Sequence, residues 1–272
     1  MDGVWSQAEI SARYLPLVNR DTVEFLLTAV ERIVECKRTG GKVVVATGSG
    51  PNLHEGVTTL IAELMTKGIV DGVLTSSAVI AHEMAGALDK VKRMDGRQLG
   101  FAPATLPKGF TFEMTELPDA MLAELRHEME IDESLLARCR QIEGSVIIKA
   151  AGNMAYPMGL RSERLAREIM SIAQTYGLPF ETVAGWGADS RTMIGAGARL
   201  GLPVLVSVPQ LIGGGAVGLA VADSISISER CMQVSQLLAS ADVIIESAVA
   251  LTQEIHDGPF GLGWLSHLFT GR

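Results

Sequence analysis

One unit recurs along this chain and narrows its folds more than any other feature. It is a short apolar, β-branched run, then a turn of small polar residues, then an amphipathic helix. Lys42–Thr47 (KVVVAT) is such a run, with the near-continuous apolar character of a strand covered on both faces. The turn Gly48–Gly56 (GSGPNLHEG) follows, and Val57–Lys67 reads as a helix with Leu60, Ile61, Leu64 and Met65 on one face. Ile69–Thr75 (IVDGVLT) is a second run, and Ser76 and Ser77 open a helix over Ala78–Leu88. Strand, turn and helix repeated at this spacing are the grammar of a parallel sheet. The predicted class is α/β, a Rossmann-like parallel sheet with helices on both faces.

The unit returns at Ser145–Ala150 (SVIIKA), at Leu202–Val208 (LPVLVSV) and in a last strand at Asp242–Ile245, with helices predicted over 162–176, 189–200 and 226–239. Upstream, Asp21 reads as the N-cap of a helix that ends at Gly40–Gly41. Asp95–Pro118 holds Gly96, Gly100, Pro103, Pro107 and Gly109 and reads as a long loop, followed by a helical stretch over 119–139. The expected organisation is a single α/β domain over 1–272, with an N-terminal helical segment at 1–40 and a loop and helical excursion at 95–140.

The 272 residues are 47% hydrophobic, enough for a sizeable core. A formal net charge of −8 opposes sequence-independent nucleic-acid binding, which requires a basic face, but leaves phosphate binding through backbone N–H groups open. Cys36, Cys139 and Cys231 are odd in number, far apart and without CxxC spacing, so they read as reduced thiols. His54, His82, His127, His256 and His267 show no HxxxH or HxH spacing, and no metal site is expected. The start of the chain lacks a signal-like apolar core, and the most apolar stretch, Val204–Ala222, is broken by Pro209 and Gly213–Gly215. The expectation is a cytoplasmic protein with a small-molecule substrate and no nucleic-acid or membrane partner.

Four constellations could carry chemistry. In Gly48–Gly56, small residues allow close backbone approach and the following helix offers unpaired N–H groups, together an anion site suited to a pyrophosphate. Gly48, Ser49, Gly50, Asn52 and Gly56 are its candidate cofactor ligands, with His54 and Glu55 inside the turn as candidate proton carriers. The spacing is neither GxGxxG nor a P-loop, so a bare strand-to-helix turn is the competing reading. Thr75, Ser76 and Ser77 end the next strand, and read either as ribose or phosphate ligands or as plain helix caps. Gly213, Gly214 and Gly215 follow a third strand. Asp242 stands by the last strand with Glu246 and Ser247, and reads either as a ribose acid or as the end of a loop. No GxSxG elbow is present.

The run VVVATGSGPNLHEGVTTLIAELMTKGIVDGVLTSSAVIAHEM resembles the nucleotide-binding segment of deoxyhypusine synthases. It is also similar to the C-terminal domain of the LOR/SDH group, as is the later run LPVLVSVPQLIGGGAVGLAVADSISISERCMQVSQLLASADVIIESAVAL. The resemblance spans 41–88 and 145–251. It implies NAD as a tightly bound cofactor in a homo-oligomer, dimer or tetramer. By position it gives Gly48, Ser49, Asn52, His54 and Gly56 the dinucleotide, Thr75–Ser77 and Gly213–Gly215 the second and third turns, and Asp242 the ribose. It further implies an NAD-dependent oxidoreductase, lyase or transferase acting on an amino acid or a polyamine-type substrate. One departure matters: deoxyhypusine synthases carry a C-terminal lysine that forms an imine, whereas Lys149 is the last lysine here. A non-catalytic dinucleotide-binding or sensing oligomer is therefore the alternative, and a different phosphate-bearing ligand a third.

Overall fold

The computed structural model describes residues 12–48, 56–107, 109–150, 152, 155–209 and 214–247. Their elements, in chain order, are α1 (Arg20–Arg38), β1 (Val43–Ala46), α2 (Val57–Thr66), β2 (Gly72–Ser76), α3 (Ser77–Ala85), β3 (Asp89–Asp95) and β4 (Thr111–Thr115). Then come α4 (Asp119–Glu128), α5 (Glu133–Gln141), β5 (Ser145–Lys149), β6 (Ala155–Tyr156), α6 (Met158–Tyr176), α7 (Phe180–Trp186) and α8 (Met193–Leu200). The last are β7 (Val204–Val208), α9 (Gly215–Ser224), α10 (Ile227–Ala239) and β8 (Val243–Glu246).

Strands β7, β2, β1 and β8 lie side by side in that order, and every pairing is parallel. Alternation along each strand divides the apolar residues between the two faces. Val43, Val45, Val73, Val204 and Val206 join one core with Ile61 and Met65 of α2, Val79 and Ile80 of α3, Phe180 of α7 and Val217 and Val221 of α9. Val44, Ala46, Leu74 and Leu205 pack on Val234, Leu237 and Leu238 of α10. Helices therefore cover both faces, and the α/β parallel sheet expected from the sequence is present. In chain order the strands run third, second, first, fourth, so the order reverses between β1 and β8. In open parallel sheets, ligands bind at such a reversal, outside the carboxyl ends of the strands.

A second sheet, in the order β5, β3, β4, β6, corrects two expectations. Ser145–Lys149 does not extend the parallel sheet but runs antiparallel to β3. Residues 95–118 are not all loop, because Thr111–Thr115 pairs antiparallel with β3 from Asp95 back to Val91. This sheet has its own core of Met94, Leu99, Met114, Leu122, Leu135, Leu136 and Cys139. The N-cap of α1 is Asn19 rather than Asp21: its side chain accepts from Thr22 N at 2.8 Å.

Candidate functional site

Because β1, β2 and β7 are parallel and each runs into a helix, the segments that follow them share one edge of the sheet. Ala46 lies in register with Leu74 and with Glu246, and Thr47 N donates to Leu74 O at 2.8 Å. On the other side Ser247 N donates to Ala46 O at 3.0 Å and Ser247 Oγ to Thr47 Oγ1 at 2.6 Å. Gly48, Thr75, Ser76 and Ser77 therefore stand together at the carboxyl edge. Gly56 stands at the start of α2 and Gly214 and Gly215 at the start of α9. Ser49, Gly50, Asn52, His54, Glu55 and Gly213 lie outside the described residues.

Two helix N-termini on this edge carry no side-chain cap among the described residues. Gly56 is the N-cap of α2, at φ 77°, a conformation glycine adopts without strain, and it has no side chain with which to cap. Ser76 is the N-cap of α3, yet its hydroxyl makes no capping bond. Elsewhere in the chain the same job is done: Thr192 caps Gly195 N at 3.0 Å and Ser226 caps Glu229 N at 3.2 Å. Thr75 and Ser76 are 0% and 4% exposed, and both hydroxyls are buried without a partner among the described residues. A buried polar group left unsatisfied costs about 1–3 kcal/mol. Two uncapped helix ends, each carrying the positive end of its dipole, and two buried hydroxyls thus gather at this edge, an arrangement whose chemistry favours an anion.

The third turn differs. Glu163 of α6 reaches the first turn of α9, where Ala216 N donates to its Oε1 at 3.1 Å. An internal carboxylate already occupies part of the anion-binding capacity there.

Asp242 is corrected by the fold. It precedes β8, which places it at the amino edge of the sheet, away from Gly48 and Ser76. Its Oδ2 accepts from Lys42 N at 2.8 Å. Asp71 sits on the same far edge, accepting from Val43 N at 2.8 Å and pairing with Lys37 at 2.7 Å. The acid that does stand at the carboxyl edge is Glu246, exposed at the end of β8.

Directly behind the edge lies Glu83 of α3, 1% exposed. It accepts from the Thr58 hydroxyl of α2, from Met193 N at 3.2 Å and from Ile194 N at 2.9 Å. It thus caps α8 while tying together the two helices whose N-termini form the edge. Burial pushes its carboxyl up to about 7, against the pull of the Thr58, Ile194 and Met193 hydrogen bonds. The signal for this group was a His-Glu pair inside the otherwise apolar run AVIAHEMA. Its neighbour His82 links the two sheets, with Nδ1 at 2.9 Å from Ala150 O. Gly152 lies against that ring, and a Cβ there would come within 2.3 Å of His82 Nδ1.

The chain's last lysine lies on the second sheet. Lys149 Nζ donates to Glu113 Oε2 at 2.6 Å, and Arg93 Nε donates to Glu113 Oε1 at 2.6 Å. Burial pushes the Glu113 carboxyl up, but the two cations outweigh it and hold it below the usual carboxylate range.

No family model and no curated protein matches the chain. Among solved structures it is similar to a cysteine-to-alanine mutant of AgrE in binary complex with L-arginine, at 15% identity and TM-score 0.49, over 91% of this chain and 27% of that one. It is also similar to apo ArgZ, an arginine dihydrolase from the ornithine-ammonia cycle in cyanobacteria, at 12% identity and TM-score 0.44, over 86% of this chain and 24% of that one. The chain thus spans about a quarter of the length of each. No helix among the described residues is long and apolar enough to cross a membrane.

Proposed function

We propose that the chain binds NAD at the carboxyl edge of its parallel sheet, with the pyrophosphate against the N-termini of α2 and α3. The observation that carries this reading is the pair of helix ends without a side-chain cap beside two buried hydroxyls, Thr75 and Ser76, that have no partner among the described residues. The strand order supports it, since the reversal between β1 and β8 falls at the same edge. So does the resemblance of 41–88 to deoxyhypusine synthase-like and LOR/SDH segments. Bound NAD would supply hydride acceptance. The chain's own groups would supply binding and orientation, and the reading extends to an amino acid or polyamine-type substrate in a homo-oligomer.

One observation favours the non-catalytic alternative. The lysine that imine chemistry would need is absent from this edge among the described residues, and Lys149 is committed to Glu113. Reduced-nicotinamide absorbance during incubation with amino acids and polyamines separates the two readings. An increase supports the enzyme; a flat trace with retained NAD supports the sensor. The parent reading is tested by thermal melting with NAD, because ligand at a hundred times Kd stabilises by about 2.7 kcal/mol. An unmoved Tm, together with no dinucleotide released on denaturation, would end it.

A further inference from the structure

The second sheet bounds a cavity that the NAD reading leaves unused. It measures about 180 Å³ and lies between β4 and the helices α4 and α5. Met114, Leu122 and Leu136, all buried, give it apolar walls. Thr115, Glu116 and Arg140 line it as well.

These three polar residues are in an unusual state. Thr115 is 2% exposed, and its hydroxyl is buried with no partner among the described residues. Arg140 is exposed; its backbone carbonyl accepts from Lys92 Nζ at 3.3 Å, and its guanidinium has no hydrogen-bond partner among the described residues. Glu116 is exposed; its backbone N–H donates to Lys90 O at 2.8 Å, and its carboxylate has no hydrogen-bond partner among the described residues. Arg140 and Glu116 form no salt bridge with each other or with another described residue, although the Arg140 charge acts through space on Glu133. The surrounding arginines are all engaged: Arg126 with Glu133, Arg161 with Glu128, and Arg138 with the Ser134 hydroxyl. A cation and an anion thus line one apolar cavity with no salt bridge between them.

That combination selects a ligand class. A guanidinium prefers a carboxylate, to which it can donate two hydrogen bonds. A carboxylate at the same mouth prefers an ammonium. The body that both groups share must be apolar where it enters the cavity, because Met114, Leu122 and Leu136 offer no polar partner. The volume holds on the order of ten water-sized spheres, suited to a leucine or a methionine. We infer that this cavity binds an apolar α-amino acid, its carboxylate on Arg140, its ammonium on Glu116 and its side chain among the apolar walls. The Thr115 hydroxyl provides a further donor to the carboxylate. The site is separate from the sheet edge and stands whether or not NAD binds there.

Isothermal titration of the full chain with L-leucine and L-methionine tests this. At least one should bind. Compared with L-leucine, 4-methylpentanoate lacks the ammonium, isopentylamine lacks the carboxylate and glycine lacks the apolar body, and each should bind at least about tenfold more weakly. Arg140→Ala and Glu116→Gln alter exposed side chains, so their melting temperatures should match the parent while leucine affinity falls about tenfold or more. Absence of binding by both amino acids overturns the inference. So does 4-methylpentanoate binding as tightly as leucine, or an Arg140→Ala affinity equal to the parent's.

Discussion

Glu83→Gln isolates the buried carboxyl that joins the edge-forming helices. Glutamine keeps one oxygen for Thr58 and Met193 N, but turns an NH2 group toward Ile194 N, leaving that N–H unsatisfied at a cost of about 1–3 kcal/mol. The pH dependence is the sharper signature. Burial raises the Glu83 carboxyl from its ordinary 4.5 to about 7, so the folded chain holds this proton more tightly than the unfolded chain. Stability from this group is therefore complete below about 4.5 and is lost as pH rises through about 7. At about 1.4 kcal/mol per pH unit across that window, the native protein should lose about 2–3 kcal/mol between pH 5 and pH 8 that the glutamine variant does not lose. Urea unfolding of both proteins at the two pH values reads this as a difference of differences, in which every other titrating group cancels. The variant should be the less stable protein at pH 5, with the gap closing toward pH 8. Parallel pH profiles would refute the assignment of a raised, buried carboxyl to Glu83.

Two further substitutions probe the second sheet. Lys149→Met strands the Glu113 carboxylate with Arg93 alone and should destabilise by about 3 kcal/mol in urea, while leaving NAD affinity unchanged. Gly152→Ala forces a methyl into His82 at a backbone φ of 68°, and should lower stability by about 1–3 kcal/mol and shift the His82 imidazole NMR signals. An unaltered His82 signal would show that the ring does not sit against residue 152.

What the sequence disclosed and what it hid have physical reasons. Strands β1, β2, β7 and β8 were legible because each is a dense apolar run flanked by polar turns. β3 was not: Asp89–Asp95 (DKVKRMD) buries only Val91 and Met94, so its pattern resembles a solvated loop. With β3 missed, Ser145–Lys149 had no visible partner and was placed in the wrong sheet. The shared edge of Gly48, Gly56 and Thr75–Ser77 followed from chain order alone, since each strand runs directly into its helix. Asp242 failed by that same rule. It precedes its strand, so it had to fall on the opposite edge, whereas Glu246, which ends the strand, falls on the right one. Glu83 was visible as an acid in an apolar helix, but its role rests on α8, which is more than a hundred residues away in the chain.

The edge itself is tested most directly by calorimetric titration of NAD into the parent chain and into Ser76→Asp. The Ser76 hydroxyl makes no capping bond that the substitution would remove, and aspartate is well accepted at a helix N-cap, so α3 should persist while the new charge faces the diphosphate. The parent should bind NAD, and the variant should bind at least about tenfold more weakly while far-UV circular dichroism stays the same. Equal affinity in the two proteins, or no heat of binding from the parent, would contradict a dinucleotide site at this edge.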